Sequence, residues 1–582
     1  MKPTGHEGQR IVKMNETTKV SLFFVRTFVV FYCYLCMKKE QNLRFQLRRK
    51  DMKKRGISIF MAAMICASAL TACGSGAKDA AAVDTASASE SGAGASDDEK
   101  VLRIAFPDTL TTVDVANVTS ATMLKEVAGV CETLVHADED FTLQPNLATE
   151  WEMTGNNTWE FKLRDDVTFH DGTRMDAAAV KWSIEWELAN NSAFAGSTFI
   201  ESVKALDDFA VQFTTSRKTT DLPAALSYVG TVVVAASSVD DSGNFVKAVG
   251  TGYFKQDSFD EISGTFECSV YDGYWQPVET NVTRRIVRSI TDASARSLAV
   301  QNGEIDIASD VPFSDLETLA DSENVQVSKF NTARTYFYEY NMKKDTFQDK
   351  RVRKALIYAI NKEEIVNDVL LGVGGVPKGM LMDDMPWANT DVDTYDYDSD
   401  KALSLLKEAG YTDSDKDGYL DKDGEKLTLK LITFTKRPGC QLIVQATQGY
   451  YANIGIDTSV EVMEWSAMNE LIQNGDFDMA LNSAASAYIP TPAYYMDTYY
   501  KNNDIGYVNE SMNSLLDECK ATTDMEEKYQ YSKDAQALAQ EDAAIFTPAL
   551  YGAVFALSKD VADFQYNAAA HDFIVPYETS LK

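Results

Sequence analysis

Residues 74 to 100 set the first limit on what this chain can fold into. Between Gly74 and Lys100 the only large apolar side chain is Val83. A stretch of Gly, Ala, Ser and Asp cannot bury enough apolar surface to order itself, so it reads as a flexible tether. The tether divides the chain. Before it lie 73 residues; after it lie residues 101 to 582, long enough for two or three lobes with sizeable cores.

The segment before the tether reads as a targeting sequence. Lys53-Lys54-Arg55 precedes a mostly apolar run too short to span a bilayer comfortably, and the run ends in Leu70-Thr71-Ala72-Cys73. That ending resembles the bacterial lipobox, which implies a lipid on the Cys73 thiol and cleavage just before it. Residues 52–72 are then the signal peptide, 73–100 the lipidated cysteine and tether, and 1–51 an over-extended N-terminus. Cys33 and Cys36 form a lone CxxC without the second pair that zinc-finger spacing requires.

Charge excludes one class of partner. The chain has 55 Lys+Arg and 87 Asp+Glu; 14 of the basic and 4 of the acidic groups precede Cys73, leaving 41 against 83. Such a surface repels phosphate backbones, so nucleic acid is not expected as a partner. Cys131, Cys268, Cys440 and Cys519 are too irregularly spaced for a disulfide framework and are expected as buried thiols. Only four histidines occur, at 6, 136, 170 and 571, so a protein-built metal cage of several imidazoles is not expected, and no cofactor is implied.

Periodicity after the tether alternates strand and helix, an α/β pattern. Val101–Phe106 and Trp159–Arg164 alternate as strands; Asp176 and Asp292 read as helix N-caps. Helices are expected over 350–360, 400–409, 440–453 and 464–473, and strands over 427–432, 456–462 and 477–481. Gly410 reads as a left-handed C-cap. Asp413, Asp415, Asp417 and Gly418 match the start of a calcium loop, but Gly424 stands where the bidentate glutamate belongs, so the stretch reads as a solvated hairpin. His170, at a strand end beside the Asp171-Gly172 turn, reads as structural.

Ordered motifs then carry a resemblance. Leu143-Gln-Pro-Asn-Leu-Ala-Thr-Glu-Trp-Glu152, Val167-Thr-Phe-His-Asp-Gly-Thr173, Val249-Gly-Thr-Gly-Tyr-Phe-Lys255, Asn302-Gly-Glu-Ile-Asp306, Arg351-Val-Arg-Lys-Ala-Leu356, Leu405-Leu-Lys-Glu-Ala-Gly410 and Gly475-Asp-Phe-Asp478 follow one another in a family's order. Together they make the chain similar to the peptide/nickel solute-binding proteins of ABC importers, extracytoplasmic family 5. The resemblance implies a two-lobed periplasmic-binding-protein-like (type II) α/β fold with an extra subdomain in the first lobe. Expected boundaries are 101–335 for the first lobe, 336–549 for the second, and 550–582 for the return. Gly250 and Gly252 are expected to take backbone angles closed to other residues, and Arg351 and Arg353 to lie on a solvated helix start.

The resemblance also implies a non-enzymatic monomer on the outer face of the membrane. It would capture a small solute by lobe closure and hand it to a permease with a cytoplasmic ATPase. Arg437-Pro438 resembles the position where relatives hold a ligand carboxylate, which suits a guanidinium's paired donors. The stretch Asn482 to Pro492 lacks the acid with which peptide binders meet an amine, and this leans the chain toward the nickel or metal-chelate branch. Tyr488, Tyr494 and Tyr495 are expected to contact the solute, as are Phe106, Asp108 and Thr109 at the end of the first strand and in the loop after it. A di- or oligopeptide remains the alternative solute. A lipid-anchored extracellular hydrolase is the alternative class, although G-x-S-x-G, H-E-x-x-H and P-loop patterns do not occur. Nothing in the sequence separates transport from sensing.

Overall fold

The computed structural model describes residues 99–569 and 574–582. The residues expected to form the signal peptide, Cys73 and most of the expected tether lie outside the described residues, as does His571. A ten-stranded mixed sheet organises the rest. From one edge its strands are Asp457–Met463, Thr428–Phe434, Met479–Ala485, Val325–Tyr340, Ile545–Ser558, Ile307–Ser309, Val101–Phe106, Arg284–Ser289, Thr265–Val270 and Phe254–Asp260. The sheet belongs to two lobes. Val101–Phe106 pairs in parallel with both Arg284–Ser289 and Ile307–Ser309 in the first lobe. Thr428–Phe434 pairs in parallel with Asp457–Met463 and Met479–Ala485 in the second. Helices Ala293–Gln301, Pro438–Asn453 and Trp465–Asn474 make the crossovers that parallel strands require.

Two long strands serve both lobes. Val325–Tyr340 and Ile545–Ser558 run antiparallel, with register breaks between Asn331 and Thr335 and between Tyr336 and Tyr338. Their outer ends pair within the first lobe, Ile307 with Leu557. Their other half faces the second lobe, Tyr338 with Leu481. Extra residues at such breaks bend and twist a strand, so the ribbon changes direction where it passes from one lobe to the other.

Three hydrophobic cores follow from this chain path. One fills the second lobe around Tyr338, Leu356, Ile432 and Leu481. One fills the first lobe around Ile104, Leu124, Phe266 and Phe555. The third belongs to a subdomain of the first lobe, where the sheet of Ala148–Gly155, Thr158–Leu163, Ala210–Thr215 and Ile200–Asp207 packs on helix Ala177–Asn190. Trp159, Phe161 and Leu163 are buried while Lys162 is exposed, the alternation of a sheet covered on one face. Asp176 and Asp292 cap their helices by accepting from Ala179 N and Ala295 N at 2.9 and 2.7 Å.

Two expectations change. Gly250 and Gly252 do not take left-handed angles; they are required by crowding, because a Cβ would stand 2.1 Å from the Val130 carbonyl oxygen and 2.3 Å from that of Gly129. Arg353 is not solvated. It is 5% exposed, and its guanidinium donates to the carbonyls of Phe347, Asp542 and Ala543, while Arg351 does stay at the surface. His170 is half-buried with its Nε2 2.9 Å from the Gly252 carbonyl, and the loss of water around its ring lowers its pKa to about 4. All four described cysteines are free and buried. Asp413, Asp415 and Asp417 sit on an exposed loop closed by Ser414 and Asp421. Among the described residues no helix is long and apolar enough to cross a membrane.

Candidate functional site

The carboxyl ends of the parallel strands converge where the lobes face each other, the usual place for ligands in such sheets. After Phe106 the chain turns outward through Pro107-Asp108-Thr109. After Ser309 it reaches Asp310, and after Phe434 it reaches Lys436 and Arg437. Pro438 sits at the first position of helix Pro438–Asn453, where its missing N–H costs nothing. The residue before a proline is pushed to extended backbone, and Arg437 has φ −105° and ψ 121°. Its side chain thereby enters the interlobe space. A cavity of about 830 Å³ results, lined by Asp108, Thr109, Asp310 and Phe313 from the first lobe and by Arg437 and Trp465 from the second.

Two ion pairs cross this cavity. Lys436 Nζ lies 2.8 Å from Asp108 Oδ1, and Arg437 Nη1 lies 3.4 Å from Asp310 Oδ2. The Tyr551 hydroxyl donates to Asp310 Oδ1 at 2.8 Å. Asp310 has φ 49°, a left-handed conformation uncommon outside glycine. It is fixed there by its N–H to Val554 O at 2.9 Å and by Arg296 Nη2, which donates to its carbonyl at 2.7 Å.

A polar chain continues from Tyr551 to the tyrosine-rich segment. The Arg334 and Arg437 guanidiniums each lie 5.8 Å from the Tyr551 ring. Arg334 Nη2 donates to the Tyr488 hydroxyl at 2.9 Å, and Tyr488 packs near Tyr228 and Tyr494 at 6.2 and 6.3 Å between ring centres. Beside Tyr228 and Tyr488 is a second cavity of about 20 Å³, room for roughly one water. His136 on its wall has its pKa lowered to about 4 by burial and then by the charge of Lys125.

The expected site residues divide. Asp108, Thr109 and Arg437 line the large cavity, and Tyr488 the small one. Tyr494 is half-buried between Tyr488 and the second lobe. The other two side chains depart from the cleft. The Phe106 ring belongs to the first-lobe core, because the alternation of its strand turns it inward, and Tyr495 packs on Phe337 and Tyr499 in the second-lobe core. Asp310, Arg334, Tyr551 and Tyr228 were not anticipated. Asp310 carried a usable signal, as the first residue beyond a strand parallel to Val101–Phe106; the others are brought in by the long ribbon and by the subdomain.

With this geometry in place, comparisons add the lineage. The sequence pattern of the bacterial extracellular solute-binding proteins, family 5 middle region, matches residues 142–507. The chain is 29% identical over 436 residues to the oligopeptide-binding protein AppA of Bacillus subtilis, covering 70% of this chain and 78% of that protein. It is 23% identical over 457 residues to the glutathione-binding protein GsiB of Escherichia coli K12, covering 73% and 84%. Among solved structures it resembles a nickel ABC transporter protein from Bacillus halodurans, with 27% identity, a TM-score of 0.70, and coverage of 83% of this chain and 100% of that one.

Proposed function

Since the chain belongs to the bacterial extracellular solute-binding proteins of family 5, we propose that the cleft between its lobes captures a small carboxylate-bearing solute. The chain is a substrate-binding protein of ABC importers, the class to which its relatives and its fold belong. The observation that carries the solute reading is Arg437. It is a guanidinium only 8% exposed, held by a helix start at the mouth of an interlobe cavity, with Asp108 and Thr109 opposite. A guanidinium offers the paired donors that a carboxylate takes, and closing the lobes removes water from around that pair, which strengthens it.

In this proposal the solute is a metal chelate or a peptide. The described residues gather one group of three carboxylates able to hold a metal, Asp413, Asp415 and Asp417, and it lies on an exposed loop outside the cleft. A metal would therefore enter the cleft inside an organic chelator whose carboxylate meets Arg437. Asp310 favours the peptide reading, because it supplies the cleft with the acid that residues 482–492 lack, and an amine would compete there with Arg437 and Tyr551. Lobe closure would hinge at the register breaks of the Val325–Tyr340 and Ile545–Ser558 ribbon, giving lobes close to 101–335 and 336–549. Lipid on Cys73 would hold the protein at the outer membrane face, and the permease would read the closed form. The proposal assigns the chain no catalytic step.

Native mass spectrometry of the purified chain tests this reading. A co-purified small acid with a transition-metal isotope pattern supports the chelate, and a ladder of short peptides supports the peptide. A bound solute without any carboxylate would refute the role given to Arg437.

A further inference from the structure

The lobes also meet far along the chain from the cleft residues. In the subdomain, the loop Lys218 to Asp221 reaches the helix pair Glu510–Ala521 and Met525–Asp542 of the second lobe. Lys218 Nζ donates to the Ala521 carbonyl at 2.9 Å, and Thr220 Oγ1 donates to the Lys520 carbonyl at 3.1 Å. Those carbonyls belong to the last turn of a helix, where the backbone has no acceptor role left within the helix and a cation is favoured. Asp221 stands at the N-cap position of helix Leu222–Ala225 but does not cap it. Its carboxylate instead pairs with Lys528 Nζ, on a residue 3% exposed. The loop is braced from behind, where Trp159 Nε1 donates to the Thr219 carbonyl at 2.9 Å.

We propose that this loop is a clasp that holds the lobes closed and sets the closed population independently of the solute. The chemistry of the pair makes it specific to the closed form. With the lobes together, Asp221 and Lys528 are largely withdrawn from water and each needs the other. With the lobes apart, both are hydrated and the pair is dispensable. Removing one partner therefore leaves a buried lone charge in the closed form alone, and the equilibrium moves toward open. The clasp residues do not line the cavity of Arg437, so the two contacts act on closure separately. A ligand's apparent affinity scales with the fraction of protein in the binding-competent form, so a weakened clasp lowers affinity for whatever the cleft takes.

Distances between the lobes test the clasp without a solute. Ile262 in the first lobe and Val508 in the second are 99% and 81% exposed. Both can carry spin labels on p-acetylphenylalanine in the full-length chain, leaving the native cysteines in place. Pulsed electron resonance then reads the open-to-closed ratio. Asp221→Asn and Lys528→Met should each raise that ratio about tenfold or more, the reach of a buried pair. The charge swap Asp221→Lys with Lys528→Asp should bring it back toward the parent value. Thr220→Val strands no charge and should shift it the same way by a smaller factor, which keeps the test informative if a charge variant does not fold. An unchanged distance distribution in Thr220→Val and in the folded charge variants would overturn the clasp. So would a charge swap no closer to the parent than the single variants.

Discussion

Replacing Glu187 with Gln should reverse the order of stability between variant and parent as pH rises. Glu187 lies in the last turn of helix Ala177–Asn190 with no exposed surface. Asn191 Nδ2 donates to its Oε2 at 3.1 Å, and its Oε1 is buried without a hydrogen-bond partner. Burial raises its pKa from 4.5 to about 8, partly offset by Asn191 and reinforced by the negative charge of Asp114. Between those values the native state holds a proton that the unfolded state has released. The linkage relation then makes stability fall as pH climbs from about 4.5 to about 8. At 1.36 kcal/mol per unit the whole window is worth at most about 5 kcal/mol. The Gln variant cannot ionise, and it brings a buried amide donor pair that costs about 1–3 kcal/mol at every pH. The parent should therefore be the more stable at pH 5 and the variant at pH 8, with the curves crossing near about pH 6. Urea unfolding at pH 5, 6, 7 and 8 measures this. His136 and His170, whose pKa values are lowered to about 4, bend both curves equally and cancel in the difference. A stability difference that stays constant from pH 5 to 8 would refute the assignment of a protonated Glu187.

Other perturbations have simpler outcomes. Arg437→Ala should weaken binding of a carboxylate solute by about 1.5–3 kcal/mol, the range for hydrogen bonds to charged groups; calorimetry with the co-purified solute shows it, and unchanged affinity removes Arg437 from the site. Gly252→Ala places a Cβ 2.3 Å from the Gly129 carbonyl oxygen, so the backbone must move. A cost of about 1–3 kcal/mol, typical of overpacking, should appear as a lowered melting temperature, and an unaltered melt would contradict the crowding. Cys73→Ala should move the protein from the membrane fraction to the soluble one, and retention in the membrane would end the lipid-anchor reading.

Local patterns were legible wherever a single element decides the outcome. Caps at Asp176 and Asp292 and the subdomain strand at Trp159 follow from a few adjacent residues, and the helix expected over 440–453 begins two residues earlier, at Pro438. Arg437 was singled out by its resemblance to a family Arg-Pro position, and the proline accounts for its extended backbone at the cavity. What the sequence hid depends on contacts between distant segments. Periodicity places Phe106 at a strand end but does not say on which face its ring falls, and here it falls on the core. Tyr495 sits among five tyrosines between Ala487 and Tyr500, and only packing against Phe337 separates a core tyrosine from a cleft one. Gly250 and Gly252 look like turn glycines locally; the Val130 and Gly129 carbonyls that exclude a Cβ come from more than a hundred residues earlier.

Buried arginines show why residue type alone could not pick out the site. Arg285 and Arg296, along with Arg353, are each 5% exposed or less, and their guanidiniums donate to main-chain carbonyls: Val127 and Val575 for the first, Ser309 and Ile290 for the second, Phe347 and Asp542 for the third. Carbonyls accept at fixed positions, so these side chains pin loops and cannot exchange partners without unfolding them. Arg437 differs in lining the interlobe cavity. One of its contacts, Asp310, is a side chain from the facing lobe, at a distance of 3.4 Å that leaves the contact loose. A carboxylate from outside can replace a carboxylate from across the cleft at little structural cost, whereas it cannot replace a backbone. In the proposed function, that exchange with a contact from the opposite lobe is what would free Arg437 for a ligand. Asp310 then acts as the built-in competitor for Arg437, so Asp310→Asn should tighten the capture of a solute that carries only carboxylates and weaken that of one that also brings an amine. Calorimetry with a peptide and its N-acetylated form separates the two, and equal changes for both would leave Asp310 without a part in selection.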